Sequence, residues 1–522
     1  ARNSAMEVQA HLDGKLKPND VAAHLQVQVP KLDWKVMQLM DVPFRTSHQF
    51  DVTFVSDLEK KYEVNASMTD TSVKAPKKTF QTKDLYVGFA TSVDSTKAYM
   101  RAGDLDVNFE GRGYVETLLA QVDAFTSRAG EQWTSKTINQ EELKTLLPGV
   151  CLKATSGNDN PISNYLSMMQ GVSFDKLYLD FDTSPEEGIN GEAFLYNMRT
   201  DSLLVDTIGI DLKHGDDGLD FLTEVISTAK PNQEAFEVNL DGNIGNGKAQ
   251  LLFQYLNAKK EKGVYLGANA ALGRRGIRMK FFPENPILVY RPFHLNERNY
   301  LYLADRGRIY GDVRLYDEQG TGIHFYTNRE DTIADQEMTV ELSRIDLKQF
   351  KKVLPYLPDV EGWLGGSLHY VDSEGQMMLS ADMNLDNFVY EKSPLGNWTM
   401  SGAYLPGDNN AHHVDGFITY NDQEIIYMNG VYQADETGQE NITGELELQH
   451  FPLRVINPFI PEKMVAFTGD IDGTLSMTGS PMKPVLNGGL QLDSVLMIMP
   501  DMSVGFRFDN KQVKMQDSKM VF

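Results

Sequence analysis

Cysteine is nearly missing from this chain of 522 residues; only Cys151 is present. One thiol closes no internal disulfide, and cysteine-based metal sites are excluded. Its plain reading is a small buried apolar residue rather than a reactive nucleophile. Such poverty fits an oxidising bacterial compartment. Positive charge is also short: 49 Lys and Arg face 73 Asp and Glu, a net charge of −24. Nucleic acid needs clustered cations, so it is excluded as a partner. Adsorption on anionic lipid headgroups is excluded on the same ground. Acyl chains held in an apolar groove are not. No stretch reaches about 18 consecutive apolar residues, so no spanning helix is expected. No secretory leader opens the chain. It begins in a strand-like run (Met6, Val8, Ala10, Leu12) and ends in another (Val513, Met515). Both ends read as cut, with membrane contact, targeting and anchoring left to segments outside this fragment.

What is present is alternation. Ala23, Leu25, Val27 and Val29 alternate with polar residues, as do Leu105, Val107 and Phe109, and later Leu177, Leu179 and Phe181. Leu379, Ala381, Met383 and Leu385 repeat the pattern. Period two marks strands with one apolar face. Asp13-Gly14, Asp241-Gly242, Asp472-Gly473 and Asn487-Gly488 punctuate the runs as turns. The expected fold is mainly β: an elongated, curved antiparallel sheet built of repeats, with a few short helical inserts. Helix is expected at 116–169, 216–229 and 346–354. Leu118, Val122, Phe125, Ala129 and Trp133 follow helical spacing, and Asn160-Pro161 starts a short helix through Met169. Phe221, Leu222, Val225 and Ile226 share one helical face, with Asp216-Asp217 as a cap. Five segments result: 1–115 β, 116–170 helical insert, 171–345 β with the short helix, and two β modules at 346–445 and 446–522.

A repeat occupies the C-terminal third. Val340 to Leu347, Leu354-Pro-Tyr-Leu-Pro358, Gly366-Ser-Leu368 and Met383-Asn-Leu-Asp386 form one unit. Leu446 to Leu453, Asn457-Pro-Phe-Ile-Pro461, Gly473-Thr-Leu475 and Leu490-Gln-Leu-Asp493 form the next. A proline corner interrupts strand pairing and starts each unit. A unit of this size must stack on its neighbour to bury its apolar face.

Motifs that would carry chemistry are incomplete. Gly242-Asn-Ile-Gly-Asn-Gly-Lys248 has the glycines and lysine of a phosphate-binding loop, but Ala249 stands where Mg²⁺ needs a hydroxyl. Ordinary hairpin turns explain the glycines. His412-His413 sits in a polar stretch and reads as a solvated loop rather than a metal site. Asp470 and Asp472 read as a solvated strand face. No catalytic residue, metal ligand or cofactor is expected. The methionines (Met377, Met378, Met383, Met477, Met497, Met499) read either as core filler or as an adaptable apolar lining.

One stretch carries a resemblance. Gly473-Thr-Leu475-Ser-Met477-Thr-Gly479-Ser-Pro481, followed by Met-Lys-Pro484-Val-Leu486-Asn-Gly488, resembles the C-terminal region of the TamB/AsmA-like family. That family shows Gly-x-Leu-x-Val-x-Gly-x-Pro-x-x-Pro-x-Leu-x-Gly, and Met477 replaces its Val. Phe451-Pro-Leu453 and Asn457-Pro-Phe-Ile-Pro461 resemble the segment that precedes it. The likeness covers about residues 340–522; upstream it is one of style. It implies a β-taco groove in a periplasmic bridge anchored to the inner membrane. It further implies phospholipid transport, outer-membrane protein assembly and a TamA-type barrel partner. Leu368, Tyr370, Leu379, Ala381, Met383 and Leu385 should then share one acyl-chain-lining face with Leu475, Met477, Leu490 and Leu492. An extracellular or periplasmic β-solenoid or adhesin that binds without transporting lipid would share the strands and the acidity. A β-rich hydrolase would need a convergent polar cluster.

Overall fold

The computed structural model describes residues 6–38, 43–74, 79–200, 203–230, 233–327, 335–353, 357–407, 411–434, 440–460 and 464–521. Alternation has become strand: 68% of the chain is strand and 11% helical, so the class is mainly β. The strands pair antiparallel, largely in chain order, and the sheet stays open. Tight turns make this possible. Asn246 and Gly247 (φ 49° and 72°) link the strands Phe236–Gly245 and Lys248–Asn257. Left-handed pairs of this kind match the twist of a two-residue hairpin. Two units result, residues 1–262 with 267–275, and residues 263–266 with 276–522.

In the first unit, register partners carry one apolar row across successive strands. Leu25 pairs Val52, Val52 pairs Ala66, Ala66 pairs Val87, Val87 pairs Met100 and Met100 pairs Val107. Directly opposed residues point to the same side of a sheet, so these six share a face. Helix α1 (Val115–Thr134) follows the strand Leu105–Arg112, and its buried Leu118 fills the space above Gly111. A Cβ at Gly111 would lie 2.3 Å from Leu118 Cδ1, so glycine is what lets the helix approach. Helix α2 (Gln140–Thr145) is capped by Asn139 and reaches the sheet's hairpins. Gln140 Nε2 lies 3.0 Å from His214 Nε2.

Several sequence expectations need correction here: Asp13-Gly14, Asp241-Gly242, Asp472-Gly473 and Asn487-Gly488, read as turns, all lie inside strands. Residues 216–229 are not helical: Gly218–Ser227 is a strand, paired with Leu204–Gly215 and Phe236–Gly245. Asp216-Asp217 forms the turn between the paired Gly215 and Gly218 rather than a helix cap. Phe221 and Val225 mimic helical spacing, but they also alternate. Pairing on both sides, with the β-branched Thr223, Val225 and Ile226, decides for strand. The 116–170 insert is likewise interrupted. Val150–Ser156 is a strand between Leu105–Arg112 and Lys176–Ser184. Cys151 lies on it, half-buried and opposite Glu110 and Asp182, not in an apolar core. Asn160-Pro161 does start a helix, α3 (Pro161–Tyr165), extended by a π turn, Leu166–Gln170.

In the second unit the repeat survives into backbone detail. The pairing of Gln336–Asp346 with Val360–Ser373 slips between Leu342 and Ile345, at left-handed Arg344 (φ 47°). Glu440–Pro452 with Ala466–Gly479 slips at the matching place, between Leu448 and Phe451, at His450 (φ 47°). Each slip is a bulge that bends the strand. A 3-10 turn follows in both: Leu347–Lys352 where helix was expected, and Leu453–Phe459 over the Asn-Pro corner. The Leu-Pro corner at 354–356 lies outside the described residues. The repeated Gly366 and Gly473 (φ 128° and 154°) both lie where a Cβ would meet a neighbouring carbonyl oxygen, at 2.1 and 2.3 Å. That close approach explains why this position is glycine in both units.

Candidate apolar-ligand site

The face named from sequence can be followed residue by residue. Leu368 pairs Ala381, Ala381 pairs Gly402, Gly402 pairs Gly416 and Gly416 pairs Met428. Met428 pairs Leu446 and Leu446 pairs Leu475. A parallel row runs from Tyr370 through Leu379, Tyr404, Val414, Gly430 and Gly444 to Met477. A third links Met383 through Met400, Ile418, Ile426, Leu448 and Gly473 to Leu490. Leu385 opposes Trp398, and Leu492 opposes Ile471. All ten predicted residues therefore face one side of the sheet.

They do not share one environment. Leu379 is 41% and Met400 46% exposed, and Leu368 is exposed as well. Tyr370, Ala381, Met383 and Leu385 are half-buried. Leu475 and Leu490 are each only 3% exposed, and Met477 and Leu492 are buried too. Leu475, Leu490 and Leu492 belong to a dry core with Leu453, Ile471, Val495 and Val513. Ile456, Phe467 and Phe508 pack against it. The candidates thus fall into an open wall and a filled end.

At the open wall lies a cavity of about 460 Å³. Leu379, Ala381, Met400, Val414, Ile418 and Met428 line it, with Gly402 and Gly416 as its floor. A Cβ at Gly402 would only touch Asp415 O at 3.4 Å, so this glycine leaves room, while a Cβ at Gly416 would press on Ser401 O at 3.0 Å. Aromatic groups stand at both ends. Trp398 packs on Tyr420 at 5.0 Å, and Tyr404 stacks on His412 at 4.8 Å with Tyr432 beside it at 6.3 Å. Six residues along the strand separate Trp398 from Tyr404, about 20 Å. Burial raises the phenol pKa of Tyr404, and of Tyr370 together with nearby Asp372, so both stay protonated well into the alkaline range. The other face is polar: Ser401 donates to Asp382, and Tyr427 donates to Asp415 at 2.7 Å.

Several lining residues were not singled out from sequence: Met400, Gly402, Tyr404, Val414, Gly416 and Met428. Trp398, Met400, Gly402 and Tyr404 do alternate with polar neighbours. Glycine at an apolar position lowers the hydrophobic count and hides the run. The phosphate-loop lookalike proves to be a hairpin, strand–turn–strand, without the helix a phosphate cradle needs. His412 is not in a solvated loop but on the strand Ala411–Tyr420, half-buried against Tyr404. Among the described residues there is no group of three metal-ligating side chains, and no helix long and apolar enough to cross a membrane. Comparison with models of protein families, with curated proteins and with solved structures gives no match.

Proposed function

We propose that this chain is a segment of a periplasmic bridge protein whose apolar sheet face carries phospholipid acyl chains between the inner and outer membranes. The observation that carries this reading is the unbroken apolar register from Leu368 to Met428, left open over a 460 Å³ hollow. Each CH₂ dried by such a wall contributes about 0.8 kcal/mol. A tail is then held by many small, equal contacts and can slide along them. The net charge of −24 keeps anionic membrane surfaces away from the sheet. The resemblance over 340–522 supports the remainder: anchoring to the inner membrane by another segment, a TamA-type outer-membrane barrel as partner, and a role in outer-membrane protein assembly. No catalytic step is needed. Mass spectrometry of lipids extracted from the purified chain tests the proposal. Phospholipid in the parent protein, reduced in Leu379→Asp, is the expected result. A parent protein free of lipid, and unable to take up phospholipid from vesicles, would overturn it.

A further inference from the structure

A cavity of about 380 Å³ lies in the first unit, between the strands Asp20–Asp33, Arg45–Ser56 and Tyr62–Lys74 and the helix α3 with its π turn. Its volume falls in the range of small-molecule sites, about 300–1,000 Å³. Trp34, Phe44, Phe50, Met68, Tyr165 and Met168 form most of the wall. The half-exposed Tyr165 and Met168 leave access along the helix.

The helix is held in place as a lid. Asn160, fully buried, donates to Asp104 Oδ1 at 2.7 Å and accepts from Ser163 N at 2.9 Å as the N-cap of α3. Asp159 N donates to Asp104 Oδ2 at 2.9 Å. Hydrogen bonds from Asn160 and from backbone amides outweigh burial and keep the Asp104 carboxyl pKa low.

Polar groups inside the cavity are few and specifically aimed. The ladder between Arg45–Ser56 and Tyr62–Lys74 slips at Ser47/Gln49, beside left-handed Asp70 (φ 53°). This bulge places Thr71 and Val73, like Met68, on the cavity wall. Thr71 is 5% exposed. Thr71 Oγ1 and Thr82 Oγ1 are buried without a hydrogen-bond partner among the described residues, although buried hydroxyls are usually paired. Thr46 contrasts with them, since its hydroxyl receives the Trp34 indole N–H at 3.0 Å. His48 is buried in the same wall, and desolvation lowers its pKa, so it is neutral near pH 7. Among the described residues, no Lys, Arg, Asp or Glu lines the cavity.

We propose that this cavity binds one single-chain amphiphile with an uncharged hydrogen-bonding head, a long-chain alcohol or a monoacylglycerol. The chain lies against Trp34, Phe50 and Met168, and the head hydroxyl sits between Thr71 and Thr82. A charged head would enter an apolar space without a counter-ion, which is costly. The inference stands apart from the proposed transport face, which lies in the other unit.

The test uses the full chain and a long-chain alcohol brominated at its tail. Bromine quenches indole fluorescence on contact, so in Leu379→Asp, which silences the wall beside Trp398, saturable quenching at one equivalent is expected, and it should vanish when Trp34→Phe is added. Calorimetry with the unlabelled alcohol should give an affinity that falls about tenfold in Thr71→Val, which keeps the shape and removes one hydrogen bond. Thr71→Val should melt no lower than the parent, because the hydroxyl it removes has no partner. Leu379→Asp should leave this binding unchanged, separating it from the transport face. In the Leu379→Asp background, quenching that does not saturate, or that persists in Trp34→Phe, would overturn the site. Equal affinity of Thr71→Val, or of the matching alkane without a head, would overturn the assignment of the head group.

Discussion

The wall from Val360 to Ala434 and the end from Glu440 to Gln516 present the same face of one sheet, yet one is open and the other is filled. The two repeats share their bulges, their glycines and their alternation. They differ in the 3-10 turn. Leu453–Phe459 places Leu453 in the core, with Ile456 packed against it, and buries Val455 as well. Its counterpart Leu347–Lys352 reads Leu-Lys-Gln-Phe-Lys-Lys and buries no residue. Three lysines stand in the turn that could have covered the wall, and their ammonium groups cannot be left in an apolar core. Whether a face is core or surface is thus set by a few residues off the sheet rather than by the strands themselves.

Charge substitutions break this comparison most sharply. Met477→Asp puts a carboxylate into the filled end among Leu446, Leu475 and Leu486. It should cost more than about 3 kcal/mol and lower the urea midpoint of the second unit markedly. Met400→Asp, on the third row of the same face but solvated, should cost about 1 kcal/mol or less. Equal losses at the two positions would mean that the wall is as dry as the end.

On the wall itself the larger effect should fall on ligand and not on stability. Leu379→Asp and Met400→Asp should each deplete co-purified phospholipid several-fold while melting within a few degrees of the parent. Gly402→Leu sharpens the point without adding charge. Its side chain would enter the hollow over the Gly402–Gly416 pair, where its Cβ meets only ordinary contacts. Replacing a strand glycine should hold or raise stability by about 0.5–1 kcal/mol, and lipid content should fall. A variant that keeps its full lipid load would remove the hollow from consideration.

Sequence and structure part at definable places. The face was legible because alternation has no other reading when strands pair on both sides. The ten residues chosen from it lie where strand parity puts them. The difference between wall and end was not legible, since it depends on what Leu453, Val455 and Phe508 reach across the fold. Gly218–Ser227 was misread because Phe221, Leu222, Val225 and Ile226 fit a period of 3.6 as well as a period of two. Only the neighbours Leu204–Gly215 and Phe236–Gly245 resolve that ambiguity. The unpaired Thr71 hydroxyl was invisible for a related reason. A bulge at Asp70 changes the side to which every later residue points, and bulges leave little trace in composition.

Tyrosine provides the mildest probe, because the wall has it and the end does not. Tyr370, Tyr404 and Tyr432 lie on the wall, and no tyrosine follows Tyr432 in the chain. Burial raises the Tyr404 pKa, and burial with Asp372 raises that of Tyr370. An unfolded tyrosine titrates near pH 10. Below that pH both states hold the proton and stability is unaffected. Above it the unfolded chain ionises first, so the contribution of these phenols is lost as pH rises through their folded pKa values. Alkali should therefore loosen the wall and leave the filled end untouched. Ultraviolet titration of the parent should show a late-ionising component that is smaller in Tyr370→Phe/Tyr404→Phe. Phospholipid bound on the wall should move the Tyr404 part of that component to still higher pH, because acyl chains would remove more water from its ring. An unchanged curve in the double variant would show that the wall is wetter than its register and burial indicate. An unchanged curve with lipid would place the acyl chains away from Tyr404.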